Sequence, residues 1–238
     1  MRYAFLHNAF LRSIIKKYVN KIIFCIFDVI LFNFIRHLRE SEKNRNFAVP
    51  IMKLLLHTCC APCSAAIIEY LLAREIRPVL YYFNPNIYHR EEYERRKSEC
   101  TRYAQSIGLE ITDGDYDHEE WLQSVAGLEN EPERGKRCLS CFKMRLSAAA
   151  RMASEKGLDT FATTLGSSRW KDLKQIAEVG HWAASQFPGI SFWEKNWRKE
   201  GLSERRTILL RENDFYNQSY CGCEFTSGNN PSGFDAKP

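Results

Sequence analysis

Short apolar runs alternate with longer segments of helical periodicity along most of this chain, and this alternation restricts the fold more than any other feature. The runs predict strands at residues 53–58, 78–84, 109–112, 160–165 and 190–193. The intervening segments predict helices at residues 64–74, 90–107, 119–125, 140–156, 170–186 and 204–211. A β-α-β-α order of this kind indicates an α/β fold with a mainly parallel sheet and helices on both faces.

Three motifs stand directly at the ends of predicted strands. CCAPC follows the first strand, NPNIY follows the second, and TTLGSS lies at the end of the strand predicted at 160–165. Ligands of open parallel sheets bind beyond the carboxyl ends of the strands. The sequence therefore predicts a cysteine-rich functional site at this edge of the sheet.

The positive charge of the chain is confined to its beginning. Residues 1–51 hold nine Lys or Arg and three Asp or Glu, a net charge of +6, whereas the remainder of the chain has a net charge of −1. The basic balance therefore gives no argument that the main domain binds nucleic acid.

The segment before Met52 differs from the rest. Its apolar run at 22–35 would reach ~21 Å as a helix, short of the ~30 Å core of a bilayer, so a membrane span is not expected. Three interpretations stay open: a membrane-surface or targeting helix, an extra helix packed on the domain, and a start-site artefact with translation from Met52. The predicted organisation is an extension at 1–51, a single α/β domain at 52–226 and a flexible tail at 227–238.

Nine cysteines are many for 238 residues, and seven of them form three clusters. These clusters are Cys59-Cys60-x-x-Cys63, Cys138-x-x-Cys141 and Cys221-x-Cys223. A secreted disulfide framework suits short, loop-rich chains, so we expect a reducing, cytoplasmic location, where clustered thiols indicate metal binding or redox exchange. Seven thiols exceed one tetrahedral zinc site and favour an iron–sulfur cluster with a second redox or metal function. Structural zinc and metal-free dithiol chemistry stay open.

The predicted helices place several of these thiols where they become reactive. Cys60 and Cys63 fall at the first turn of one helix and Cys141 near the first turn of another, and helix N-termini lower the pKa of a thiol. Cys221 and Cys223 can close a small, strained disulfide ring of the easily reduced kind. Cys100 lies on the apolar stripe of a helix and is expected to be a buried hydrophobic residue.

Six motifs together resemble one family. LLLHTCCAPCS, YYFNPNIYHREEYERR, DYDHEEWL, EPERGKRCLSCFKMRL, TTLGSSRWKD and YNQSYCGCEF are similar, in this order, to the metal-dependent, cobalamin-independent epoxyqueuosine reductases, QueH, of queuosine biosynthesis. The resemblance runs from about Met52 to Thr226, and the family lacks the first fifty residues found here. It implies a Rossmann-like, HUP-like sheet.

The resemblance implies an oxidoreductase that converts epoxyqueuosine to queuosine at the wobble position of tRNA. The reaction takes two electrons and protons, which a ferredoxin- or flavodoxin-like donor would supply. By resemblance, a [4Fe-4S] cluster would be held by Cys59, Cys60, Cys138 and Cys141. Cys221 and Cys223 would be a redox-active pair or ligands of a neighbouring metal, and Cys63 would be a ligand of that second metal, an iron ion.

The remaining candidate residues would handle protons or the RNA. Candidates for the proton donor are Tyr220, Asp117 and His57, of which His57 alternatively closes a strand by hydrogen bonding. Predicted substrate contacts are Asn84, Asn86, Tyr93, Arg96, Arg134, Arg145 and Lys171. Aromatic residues that could stack on splayed bases, or pack in the core, are Tyr88, Tyr93, Trp121, Trp170 and Tyr220.

Two other functions stay open at this point. One is a zinc-stabilised RNA-binding module without redox activity. The other is an iron–sulfur disulfide reductase or electron-transfer protein, because paired cysteines beside a cluster also serve disulfide chemistry.

Overall fold

The structure, a computed structural model, describes residues 52–226, so the predictions for 1–51 and for 227–238 lie outside the described residues. The strands are β1 (Leu54–Thr58), β2 (Val79–Tyr82), β3 (Ile111–Asp113), β4 (Thr160–Thr163) and β5 (Ser191–Phe192). The helices are α1 (Ala61–Leu72), α2 (Arg90–Ser106), α3 (His118–Ser124), α4 (Lys136–Glu155), α5 (Leu173–Ser185) and α6 (Leu202–Glu212). A 3₁₀ turn, Thr164–Ser167, follows β4.

All five strands are parallel and lie in the order β3-β2-β1-β4-β5, which confirms the predicted α/β fold. The central strand β1 pairs with β2 through Leu55 and Val79, and with β4 through Leu55 and Phe161. Strands β2 and β3 are added on one side of β1, and β4 and β5 are then added on its other side. Ligands of open α/β sheets bind at such a reversal of strand order. CCAPC and TTLGSS, which follow β1 and β4, therefore flank the expected binding edge.

Side chains of β1 alternate between two apolar layers, as the pleat of a strand requires. Leu54 and Leu56 belong to one layer, which they share with residues of α1, α2 and α6. Leu55 belongs to the opposite layer, with Phe142 of α4 and Val179 of α5. Helices thus cover both faces, and all five residues of β1 are buried.

Helices α1 and α4 begin three and four residues earlier than the periodicity predicts, and the first turn of each contains a cysteine. Helix α1 begins at Ala61 because Pro62 needs no hydrogen-bond donor in the first turn of a helix. Helix α4 begins at Lys136, four residues before the predicted start, so Cys138 lies in its first turn. Cys141, predicted near the first turn, lies in the second turn instead. Helix α5 begins later than predicted, after Asp172, whose carboxylate accepts a hydrogen bond from the backbone N–H of Lys174.

Candidate active site

Three thiols meet where β1 ends and α1 begins. The sulfur atoms of Cys59, Cys60 and Cys63 all lie within 4.8 Å of one another. Within residues 52–226, no other group of three or more His, Cys, Asp or Glu side chains has its ligand atoms so close together. Cys60 is the residue that precedes α1, and Cys63 lies in its first turn. The backbone N–H groups of a helix start favour negative charge at this position.

Hydrogen bonds within this thiol trio favour one thiolate. Contacts from the thiols of Cys60 and Cys63 lower the pKa of Cys59, while burial raises the pKa of Cys60. Thr164 in the 3₁₀ turn donates to the sulfur of Cys59 at 3.5 Å, and Gln218 donates to the sulfur of Cys60 at 2.6 Å. Cysteine binds metal as a thiolate. A bound cation would therefore stabilise the thiolate form of Cys60 and Cys63, whose pKa values are raised in its absence.

A second group of thiols lines a cavity beside α4. Cys138 and Cys141 reach it from the helix, and Cys221 and Cys223 reach it from the C-terminal segment. The ring of Trp121, on α3, is fully buried at the same cavity. Burial raises the pKa of Cys138, and burial together with the nearby charge of Cys221 raises the pKa of Cys223 to about 12.

Cys221 is the exception within this thiol cavity. Burial alone would raise its pKa, but the ammonium group of Lys171 lies 2.6 Å from its sulfur and lowers the pKa below the ordinary value. Burial alone would lower the pKa of Lys171, but the charge of Cys221 and the hydrogen bond to its sulfur raise this pKa above its ordinary value. The contact therefore favours a thiolate–ammonium pair beside Cys223. This pair brings a reactive thiolate within two residues of a protonated thiol, which is the arrangement that dithiol chemistry uses.

The C-terminal segment connects the two thiol groups. Gln218 contacts the thiol trio, and Cys221 and Cys223 lie at the thiol cavity three to five residues later. Arg96 holds this segment from α2 by donating to the backbone carbonyls of Tyr220 and Cys221 at 3.4 and 3.2 Å. Gly222 has a φ of 97°, and a Cβ atom at this position would lie 2.9 Å from the side chain of Ile87. A glycine is therefore needed between the two cysteines.

The three candidate proton donors occupy different environments. His57 is fully buried, with Nε2 donating to the carbonyl of Phe83 and Nδ1 accepting from the hydroxyl of Thr163, and burial lowers its pKa to about 3. Asp117 is exposed and caps α3 through the backbone N–H of Glu120. Tyr220 directs its ring at the guanidinium of Arg96, with 5.0 Å between them, and burial raises its pKa. The role of each as a proton donor stays a prediction.

Several predicted substrate contacts are engaged inside the protein. Asn84 donates to the carbonyl of Thr58 at 3.0 Å and accepts a hydrogen bond from the guanidinium of Arg145, so it ties the ends of β1 and β2 to α4. Arg96 forms a buried ion pair with Glu92, 2.6 Å apart. Tyr93 is buried against the ring of Tyr82. Contact of these side chains with RNA stays a prediction.

Arg134 and Lys171 are brought together at the thiol cavity, as two of its lining residues. Arg134 is exposed, yet it donates to the carbonyls of Arg169 and Trp170 at 3.2 and 3.0 Å. Sequence reasoning missed the roles of Thr164 and Gln218 as donors to thiols. The TTLGSS motif contains Thr164, so its position after β4 was a usable signal, whereas nothing in the local sequence links Gln218 to Cys60.

Six buried polar side-chain atoms have no hydrogen-bond partner among residues 52–226, two of which are the amide oxygens of Asn86 and Gln175. The other four belong to residues near the thiols: the indole nitrogen of Trp121, the amide oxygen of Gln218, and the Nε atoms of Arg137 and Arg145. Polar atoms in protein interiors are nearly always paired, so their concentration around a sulfur-rich donor set fits a bound group. Thiolate sulfur suits zinc and iron–sulfur clusters in particular.

The chain has close relatives among characterised families. Residues 54–229 match the family model described as epoxyqueuosine reductase QueH. The chain is 44% identical over 193 residues to the epoxyqueuosine reductase QueH of Haemophilus influenzae, covering 81% of this chain and 76% of that protein. It is 45% identical over 174 residues to the protein of the same name from Histophilus somni, covering 73% and 72%. For the one from Thermotoga maritima the identity is 33% over 176 residues, covering 73% of this chain and 89% of that protein.

No helix within residues 52–226 is long and apolar enough to cross a membrane.

Proposed function

The chain belongs to the epoxyqueuosine reductase QueH family of oxidoreductases, and from this premise we propose that it reduces epoxyqueuosine to queuosine at the wobble position of tRNA. The observation that carries the proposal is the thiol cavity, where the ammonium group of Lys171 lies 2.6 Å from the sulfur of Cys221, beside Cys223. A reductase needs a source of electrons next to the bond that it breaks, and a pair of cysteines separated by one residue can supply two electrons when it forms a disulfide.

We further propose that the chain holds a [4Fe-4S] cluster through Cys59, Cys60, Cys138 and Cys141. Cys63 would contribute to a neighbouring iron ion. The support is the donor chemistry: sulfur atoms from the end of β1 and from the first two turns of α4, with unpaired buried polar atoms near them. When bound, such a centre would supply electrons, and its iron would act as a Lewis acid toward the epoxide oxygen.

The pair of Cys221 and Cys223, together with Lys171, can supply the electrons and protons that the reaction consumes. Conversion of an epoxide to an alkene consumes two electrons and two protons and releases one water. Oxidation of the Cys221 thiolate and the Cys223 thiol to a disulfide releases two electrons and the proton of Cys223. The second proton is the one that Lys171 holds as an ammonium group beside Cys221. A ferredoxin- or flavodoxin-like donor, working in a reducing cytoplasm, then returns two electrons, and two protons restore the thiol and the ammonium.

Residues around the cavity position these groups. Arg96 fixes the backbone of Tyr220 and Cys221, and its own charge is balanced by Glu92. The fully buried ring of Trp121 excludes water from one wall of the cavity. Exclusion of water strengthens the attraction between the Lys171 ammonium and the Cys221 thiolate.

The test begins with iron and acid-labile sulfide on anaerobically purified protein, followed by reduction of tRNA that carries epoxyqueuosine. About four of each per chain would support the cluster. Queuosine formation, with water as the other product, would support the activity. Zinc without sulfide would refute the cluster mechanism and favour a zinc-stabilised RNA-binding module. Iron and sulfide, with disulfide reduction but no action on tRNA, would favour a disulfide reductase instead.

A further inference from the structure

Trp170 is a large aromatic side chain exposed at the rim of the thiol cavity. Its relative exposure is 56%, the highest among the exposed large hydrophobic residues of the described chain. The next residue, Lys171, points inward to the sulfur of Cys221. One short loop therefore presents an indole ring to solvent and an ammonium group to the reactive thiolate.

The backbone around Trp170 is fixed by two arginines from outside the loop. Arg134 donates to the carbonyls of Arg169 and Trp170. Arg198 donates to the carbonyls of Gly166, Ser168 and Lys171. The loop is thus ordered before any ligand arrives, and binding to the ring costs little conformational entropy.

The surroundings of the ring suit a nucleic acid base. The guanidinium of Arg169 lies 4.6 Å from the ring centre on one side, and the exposed fraction of the side chain leaves room for a planar group. Single-stranded RNA is bound by such combinations of aromatic rings and arginine. A protein partner would instead need a cluster of apolar side chains, yet Trp170 is the one exposed large hydrophobic residue that lines this cavity among residues 52–226.

We propose that Trp170 stacks on a base of the anticodon loop that neighbours the modified nucleotide, an inference that rests on the proposed function. The modified nucleotide itself must reach the cysteines inside the cavity. A base that contacts the rim is therefore a neighbour in the RNA strand. Trp170 acts in this way as a positioning residue for tRNA and as a determinant of specificity for single-stranded loops.

The experiment compares wild-type holoenzyme with Trp170→Ala, Trp170→Phe and the control Trp182→Ala. Trp182 is also exposed, at 42%, and also has a cation near its ring, the ammonium of Lys143 at 5.5 Å, but it does not line the thiol cavity. Dithionite serves as the reductant, so that docking of a protein donor does not enter. We expect Trp170→Ala to raise KM for epoxyqueuosine tRNA about tenfold with kcat nearly unchanged, and Trp170→Phe to restore most of the loss. Trp182→Ala should resemble wild type.

Binding of a fluorescent anticodon stem-loop, followed by anisotropy, separates this inference from the proposed function. A Kd weakened about tenfold by Trp170→Ala and unchanged by Trp182→Ala supports stacking even if no reduction of tRNA is found, in which case the proposed activity alone fails. Unchanged Kd and KM in Trp170→Ala overturn the inference. A defect that appears with a protein donor and not with dithionite also overturns it, since the ring would then contact the donor. An equal defect on free epoxyqueuosine nucleoside overturns the assignment to a neighbouring base.

Discussion

Replacing Lys171 by methionine should convert Cys221 from a thiolate to a thiol. Methionine keeps an unbranched side chain but removes the ammonium that lies 2.6 Å from the sulfur. At this separation and an effective dielectric constant of about 20, which suits partly exposed pairs, the attraction is ~6 kcal/mol. Desolvation of the ammonium offsets much of that attraction. If only a quarter remains, the thiol–thiolate equilibrium changes about tenfold, because ~1.4 kcal/mol corresponds to a factor of ten.

The assay is alkylation of Cys221 by limiting iodoacetamide, measured by peptide mass spectrometry on anaerobic protein. The measurement is made in a Cys223→Ser background, so that Cys221 is the one thiol of its Cys-x-Cys pair. We expect Lys171→Met to slow alkylation near neutral pH at least tenfold and to move the pH midpoint of reactivity upward, since loss of a neighbouring cation raises the pKa of a thiol.

Two variants control for other effects of the substitution. Lys171→Arg keeps a cation at the site and should retain most of the reactivity. Lys174→Met removes an exposed lysine three residues later, in the first turn of α5, and should leave alkylation unchanged. Alkylation of Cys221 in Lys171→Met at the wild-type rate, with the wild-type pH midpoint, would refute the thiolate–ammonium pair and with it the electrostatic part of the mechanism.

Three further outcomes are expected. Cys138→Ala should abolish bound iron and sulfide. The control Cys100→Ala, at a buried thiol assigned to core packing, should retain both. Full iron retention in Cys138→Ala would contradict the ligand assignment. Cys223→Ser should keep the brown colour of an iron–sulfur protein and lose turnover, and wild-type turnover would remove the redox role of the pair. Gly222→Ala should lower Tm by ~5 °C, because a Cβ atom would lie 2.9 Å from Ile87 at a φ of 97°. Gly189→Ala, at a φ of 80° with no atom within 4 Å of the new Cβ, should cost less, and equal shifts in Tm would show that contact with Ile87 is unimportant.

The order of strands and helices followed from hydrophobic periodicity because the strands are short, mostly apolar runs and most of the helices are longer amphipathic segments. Boundaries followed less well. The sequence CCAPC contains a proline that suggests a break, but in the structure Pro62 lies in the first turn of α1. In the same way, the glycine and lysine before Cys138 resemble a loop, yet Gly135 is the residue that precedes α4. Tertiary packing decides such positions, and local propensity cannot.

The clustering of cysteines in the sequence indicated a thiol site, but not how the thiols would divide. Cys59, Cys60 and Cys63 come together because one turn of chain links them. The approach of Cys221 to Cys138 and Cys141 depends on the path of the last fourteen described residues, which have no helix or strand to reveal it. Contacts over such sequence distances leave no local pattern, and the pairing of Lys171 with Cys221 is the most consequential one that sequence reasoning could not find.

Arginines near the motifs illustrate why local charge is a weak guide to function. Arg96, Arg134, Arg137 and Arg198 all donate to backbone carbonyls of the irregular segments around the site. Carbonyl groups outside helices and strands need other donors when water is excluded, and a guanidinium offers five. The same positive charge that suggests phosphate contacts in a sequence can therefore fix the loops of an active site. In this chain two of these arginines, Arg134 and Arg198, hold the loop that carries Trp170 and Lys171, so these basic residues act on the site through the geometry of one loop.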